Sequence, residues 1–339
     1  MIVLGKVLNS WSITMKLPRR NFLYSAIGAA AVPALSRVAL ALDYPARPVR
    51  FIVSFAAGGP NDTIARILGQ YLSEYFGQQF VVENRVGAGG NIGMEVVLSS
   101  PPDGYTIGFV APNNAINTTL YQHLPFDFLH DSAPVAGTMK LANVMDVNRS
   151  FPAKNLAEFI AMAKANPGKI NFGSGGVGTS PHMSGELLQA MSGIKLTHVS
   201  YRGTAPAMTD LLGGQIPVLF DNLPGSIQQI QAGHIRALGV TTAKRVDALP
   251  EVPAIAESVP GYEVFVWYGI CAPKGTPPEV VEKLNKAVNA VLANPKLVAR
   301  FRELGGEPMP MTPAEFGKLI ADETDKWGKV IRVAHITLE

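Results

Sequence analysis

From residue 49 onward, short apolar runs alternate with amphipathic stretches. "VRFIVSF" (49–55) is an apolar run of the length and composition of a buried strand. After the turn "AAGGPN" a helix is predicted from about Asp62. Its apolar positions Ile64, Ile67, Leu68, Tyr71, Leu72 and Tyr75 fall three or four apart and share one face. "QQFVVENR" (78–85) is the next strand, "VGAGGN" breaks the chain before another short helix, and "YTIGFV" (105–110) is a third strand. A second block of the same kind starts near residue 143. It contains the helix "LAEFIAMAKANPG", the strand "KINFGS", a helix after Pro181, the strand "LTHVSY", the helix "APAMTDLLGGQ", then "PVLFDN" and "IRALGVTT". "YEVFVWYGICAP" (262–273) is a long strand that could return the chain to the first block. The tail carries helical periodicity at Val280, Leu284, Val288 and Val291 and again at Phe316, Leu319 and Ile320. Strand–helix alternation predicts an α/β fold with parallel pairing and right-handed crossovers.

The first 41 residues do not belong to this pattern. "PRRNFLYSAIGAAAVPALSRVALA" has paired arginines, Arg19 and Arg20, followed by Phe22 and Leu23 and a short apolar run, and ends in Ala39-Leu40-Ala41. A basic pair, an apolar stretch too short to span a bilayer and a small-x-small end describe a cleaved export signal of twin-arginine type. Residues 1–14 precede Met15, the expected true start. The whole chain has a formal net charge of +3. Residues 1–41 hold five bases (Lys6, Lys16, Arg19, Arg20, Arg37) and no acids, so residues 42–339 carry 24 bases against 26 acids. The basic pI of about 8.9 belongs largely to the precursor. No basic patch interleaved with aromatics is present, and no nucleic-acid partner is expected. Cys271 is the only cysteine and lies in the apolar "WYGICAP", where an inert buried thiol is expected rather than a nucleophile. The histidines show no ligand spacing, so no metal is predicted.

Candidate chemistry lies in three glycine-bearing turns, each between a strand and a helix: Gly58-Gly59, Gly87 to Gly93 and Gly173 to Gly178. A helix N-terminus offers unpaired N–H groups and a partial positive charge, and glycine lets a ligand approach the backbone. Gly173, Gly175 and Gly178 fit G-x-G-x-x-G, yet the next strand, "LTHVSYRG", lacks the acid that a ribose would need. The same loop fits most of a P-loop, but Thr179 stands where the phosphate-binding lysine is required. Arg202 could suit a 2′-phosphate, which keeps an exported nucleotide- or dinucleotide-dependent enzyme open as an alternative. No G-x-S-x-G elbow surrounds Ser180. Ser180 is expected to cap the following helix, with Pro181 at its first position and His182 packing or capping. What remains is a loop offering backbone N–H groups and the hydroxyls of Ser174, Thr179 and Ser180, a setting for a carboxylate. Asp221, at the end of "PVLFDN", reads equally well as a contact for a ligand ammonium or hydroxyl and as a loop cap.

Six strings in order, "YPARPVRFIVSFAAGGPNDTIAR", "VVENRVGAGGNIG", "PPDGYTIGF", "GSGGVGTSPHMSGE", "VSYRGTAPAMTDLLGGQIPVLFDNL" and "APKGTPPEVVEKLN", resemble the solute receptors of tripartite tricarboxylate transporters, the Bug-type receptors. The resemblance implies a periplasmic-binding-protein fold of type II-like form, with two α/β domains joined by two crossing strands and the ligand cleft between them. It divides the chain into the export signal 1–41, a first domain of 42–142 plus 267–339, and a second domain of 143–266. It implies a monomeric periplasmic receptor, neither enzyme nor cofactor-dependent, that captures a small carboxylate through backbone N–H groups and hydroxyls. Delivery is to the membrane components of a transporter, or the ligand serves as a signal for a sensor partner. Carried onto this sequence, the ligand-binding residues are Phe55, Ala57, Gly58, Gly59 and Asn61 in the first loop. Ser174, Gly175, Gly178, Thr179, Ser180 and His182 face them from the second domain. Asn113 and Asn117 resemble a third contributing loop, and Asp221 a position suited to an ammonium. The family usually has proline at Ala57 and often Thr or Ser at Asn61. The glycines of "VENRVGAGGNIG" are read as turn chemistry, and Arg85 as a structural ion pair.

Overall fold

Buried parallel strands need helical crossovers to cover their faces, and the computed structural model, which describes residues 44–334 and 336–338, has them. The export-signal region 1–41 lies outside the described residues. In chain order the elements are β1 (Val49–Val53), α1 (Pro60–Phe76), β2 (Phe80–Asn84), a 3-10 turn (Ala88–Gly90) running into α2 (Asn91–Leu98), β3 (Thr106–Val110), α3 (Pro112–Leu120), α4 (Phe128–Asp131) and β4 (Ser132–Asn148). Then come α5 (Leu156–Ala165), β5 (Asn171–Ser174), α6 (Ser180–Ser192), β6 (Thr197–Ser200), α7 (Thr204–Leu212), β7 (Val218–Asn222), α8 (Leu223–Gln231) and β8 (Ile235–Val240). The chain ends with β9 (Phe265–Pro273), α9 (Pro278–Leu292), α10 (Pro295–Glu303), β10 (Gly306–Pro308) and α11 (Pro313–Ala334).

The strands form one curled sheet in the order β2-β1-β3-β9-β4-β7-β5-β6, with β8 and β10 also on β4. β1, β2 and β3 are parallel, as are β5, β6 and β7. β4 and β9 run antiparallel to each other from Ser132–Pro273 to Ala142–Phe265. Beyond Ala142, β4 exchanges β9 for β7 and β8, beginning at Asn143. A single strand of 17 residues thus serves both parallel groups.

The sequence pattern places the strands of both parallel groups within two residues of their observed positions, but it misses β4, β10 and the helices α3, α4, α8 and α10. β4 has no apolar run to announce it: small residues (Ala133, Ala136, Gly137, Ala142) let neighbouring layers close over both its faces. Asn113 and Asn117, expected in a loop, lie on the buried helix α3. The N-cap of α6 is Thr179, whose hydroxyl oxygen accepts the His182 N–H, so Ser180 is the first helical residue rather than the cap.

Two helices contribute to more than one core. The cluster against β1, β3 and β9 holds Ile52, Val110, Trp267, Phe316 and Ile320. The cluster over β5, β7 and α6 holds Phe172, Met183 and Phe220, and also Ile116 and Leu120 of α3 with Trp327 and Ile331 of α11. α11 therefore begins in one cluster and ends in the other. Between them the buried Glu323 carboxylate accepts the indole N–H groups of Trp327 (2.9 Å) and Trp267 (3.4 Å).

Candidate functional site

The glycine turns lie at the carboxyl ends of parallel strands, where open α/β sheets bind ligands. β1 feeds Ser54–Gly59 into α1, β3 feeds Ala111 into α3, and β5 feeds Gly175–Thr179 into α6. All three helices carry proline in their first two positions. Proline has no N–H to leave unpaired and is pre-set for helix entry. The first-turn N–H groups of Asn61, Asn113 and Ser180 donate to nothing among the described residues. At a helix N-terminus such N–H groups lie at the positive end of the helix dipole.

Phe55, Asn113, Asn117 and Gly178 come together around Gly90. A Cβ on Gly90 would stand 2.6 Å from Asn113 Nδ2 and 3.5 Å from Phe55 Cε2, at a φ of +97°. A Cβ on Gly178, φ +79°, would stand 2.7 Å from Asn117 Oδ1 and 2.9 Å from Leu120 Cδ2. The loop after β5 thus meets α3 backbone to side chain. Asn113 Nδ2 and Asn117 Nδ2 both donate to the Gly89 carbonyl at 3.1 Å, and Asn117 Nδ2 also donates to Asn91 Oδ1. The "VGAGG" turn is therefore packed directly under the candidate site, beyond the turn chemistry expected of it. Arg85 does pair with Glu83, at 3.1 Å.

Other candidates are placed differently. Ala57 and Gly58 form an exposed tip, and Gly59 and Asn61 are half-buried. The tip is pinned by Asp62, which accepts the Gly58 N–H at 2.9 Å. Gly175 packs on Thr204, while the buried Ser174 hydroxyl is hydrogen-bonded to His198 Nε2 at 2.7 Å. Thr179 donates to the Gly176 carbonyl, and Ser180 bonds to Asn143 and Asn222 inside the second group of strands. His182 accepts the Gly178 N–H on Nδ1 (3.3 Å), and its ring lies 4.2 Å from that of His198. Burial, then the neighbouring His198, lowers the His182 pKa to about 3; burial lowers that of His198 to about 4. Both rings are neutral and bring no positive charge to the loops.

Asp221 is buried, with 1% of its surface exposed. Its carboxyl accepts from the Asn222 N–H (2.7 Å), the Ser226 hydroxyl (3.3 Å) and the Thr204 hydroxyl. Burial nevertheless raises its pKa to about 7. Val144 is its cross-strand partner, so Asp146, two residues on, shares its face of the sheet. Neither oxygen of Asp146 has a hydrogen-bond partner. Burial raises its pKa well above the usual range, the nearby Ser226 opposes this, and the Asp221 charge adds to it. Sequence reasoning did not single out Asp146; a lone acid amid the apolar "NVMDVN" was the available signal. Among the described residues, no group of three or more His, Cys, Asp or Glu side chains converges as metal ligands.

Residues 64–336 match the profile of the tripartite tricarboxylate transporter family receptor. The chain belongs to that family. A protein encoded in the tcbD–tcbE intergenic region of Pseudomonas sp. (strain P51) is 40% identical over 290 residues, covering 85% of this chain and 86% of its own. An R. palustris protein solved with adipate is 38% identical, with a TM-score of 0.83 over 87% of this chain and 99% of its own. MatC of Rhodopseudomonas palustris, solved with bound malate, is 30% identical, with a TM-score of 0.79 over 85% of this chain and 100% of its own. These likenesses place the receptor in the α/β periplasmic-binding-protein fold expected from its sequence.

Proposed function

We propose that this receptor captures a small carboxylate between the loops after β1, β3 and β5 and presents it to the membrane components of a tripartite tricarboxylate-type transporter. It does so in the periplasm, as a single chain, once residues 1–41 have been removed, and without catalysis. The observation that carries the reading is the meeting of Gly178 with Asn117. It brings a helix N-terminus from each parallel group to one place, where open N–H groups and helix dipoles favour an anion. The adipate and malate bound to the two R. palustris relatives support the ligand class. In the same reading the chain works as two lobes, 42–142 with 267–339 and 143–266, with β4 and β9 as the connections, and closes on its ligand by hinge motion.

The test is thermal unfolding of refolded residues 42–339 against di- and tricarboxylates, aromatic acids, amino acids, ATP and NAD. A ligand specific for the native state adds about 2.7 kcal/mol of stability at a hundredfold excess over Kd. An upshift with carboxylates and none with nucleotides is expected. A response to ATP or NAD alone would sink the reading in favour of a nucleotide-dependent enzyme.

A further inference from the structure

Asn143 is fully buried in the apolar stretch "LANVM" of β4, at the residue where that strand exchanges β9 for β7. A buried amide costs stability unless it is hydrogen-bonded, and this one is bonded through both its nitrogen and its oxygen. Its Nδ2 donates to the Ser184 hydroxyl at 3.0 Å. Its Oδ1 accepts Asn222 Nδ2 at 2.6 Å and the Ser180 hydroxyl at 3.4 Å. Asn222, its cross-strand partner on β7, also donates to Ser180 Oγ at 3.4 Å, and the Ser184 hydroxyl donates to the Ser180 carbonyl at 2.8 Å. Two asparagines and two serines thus close a ring at the first turn of α6.

The backbone of Asn143 is tied elsewhere. Its N–H donates to Thr241 Oγ1 and its carbonyl accepts the Thr241 N–H, both at 2.9 Å. The Thr241 hydroxyl donates to the Val264 carbonyl at 2.6 Å, and the Val264 N–H donates to the Thr241 carbonyl at 2.8 Å. Val264 directly precedes β9. The buried Thr241 therefore joins β4 to β9 where their pairing ends, at Ala142–Phe265. The side-chain ring is not what starts α6: Thr179 caps that helix, and proline takes one of its first two positions. What the ring fixes is the placement of Ser180, whose backbone N–H donates to nothing among the described residues.

We propose that Asn143 is a positioning residue for the loop after β5: its backbone belongs to the junction of β4 and β9, and its side chain holds the first turn of α6 on that junction. The inference rests on the carboxylate-receptor reading above, in which the Ser180 N–H is one of the groups offered to the ligand. Backbone donors hold an anion only as well as the groups behind them fix their placement. Without the amide, Ser180 and Asn222 lose their shared acceptor and Ser184 loses its donor. The first turn of α6 then loses these bonds to β4, while its cap remains.

Titration calorimetry on refolded residues 42–339, below the melting temperature of each variant, gives Kd for the wild type, Asn143→Ala and Asn222→Ala. Adipate, malate, citrate, benzoate and glutamate are the probes. Asn143→Ala is expected to raise Kd about tenfold, by a common factor for every probe that the wild type binds. Asn222→Ala, at a half-buried position, spares the bond from Asn143 to Ser184 and is expected to raise Kd about threefold. A role in stability alone would lower the melting temperature and leave the Kd of the folded variant unchanged. Wild-type Kd in folded Asn143→Ala therefore overturns this inference and leaves the receptor reading standing. So does a loss confined to one probe, which would make Asn143 a ligand contact. Should Asn143→Ala not fold, wild-type Kd in Asn222→Ala overturns the inference in its place. A wild type that binds none of these probes overturns the two together.

Discussion

Gly178 stands against Asn117 with no room between them: a Cβ there would lie 2.7 Å from Oδ1 and 2.9 Å from Leu120 Cδ2. The position also has a φ of +79°, which L side chains tolerate poorly. Gly178→Ala is therefore expected to push the loop after β5 off α3. Backbone strain alone costs about 1–2 kcal/mol. The expected outcome is a melting temperature lowered by a few degrees and carboxylate affinity reduced at least about tenfold, since N–H groups must stay aimed. Calorimetry on the folded variant checks it; wild-type affinity would mean that the two loops do not act together.

Glu323 joins the cores through Trp267 and Trp327, and all three are buried. Glu323→Ala leaves two indole N–H groups without their acceptor, at about 1–3 kcal/mol each. Glu323→Gln keeps an acceptor and should lose less. Trp327→Ala removes a large side chain from the cluster over β5 and β7 and is expected to cost about 3–5 kcal/mol. Urea unfolding ranks the three; equal midpoints for the Ala and Gln variants at 323 would argue against the indole bonds.

The parallel strands were legible because apolar runs bounded by Gly, Pro and Asn leave few alternatives. The glycine turns were legible because strand, glycine and helix-starting proline fall in order. β4 was not, since Ala and Gly do in a doubly covered strand what Val and Ile do elsewhere. Asp221 shows another limit. Period-2 alternation says which residues share a face, not which face a helix will cover. The covering helix α8 begins "LPGS", which does not advertise itself as helical, so an acid at a strand end gave no hint that its carboxyl is buried. Asn117 was flagged as a binding position, but its part in holding Gly89 depends on a contact across 28 positions of sequence, which no local pattern carries.

The buried carboxyls Asp146 and Asp221 and the buried rings His182 and His198 give pH dependences of opposite sign. Asp221 has its folded pKa raised to about 7, and Asp146 is raised too. Folding takes up protons there, so their contribution is full below the unfolded pKa, about 4, and is lost as pH rises toward 7. The histidines have folded pKa values lowered to about 3 and about 4. Their contribution is full above the unfolded pKa, about 6.5, and is lost as pH falls through the acid range. Between about pH 4 and 6.5 the two oppose each other, so wild-type stability should change little with pH from these groups. Asp146→Asn removes one carboxyl. It should raise the melting temperature at pH 7 more than at pH 4, leaving a profile that climbs with pH as the histidines dictate. A melting-temperature difference between variant and wild type that is constant from pH 4 to 7 would show that Asp146 titrates alike in the folded and unfolded chains.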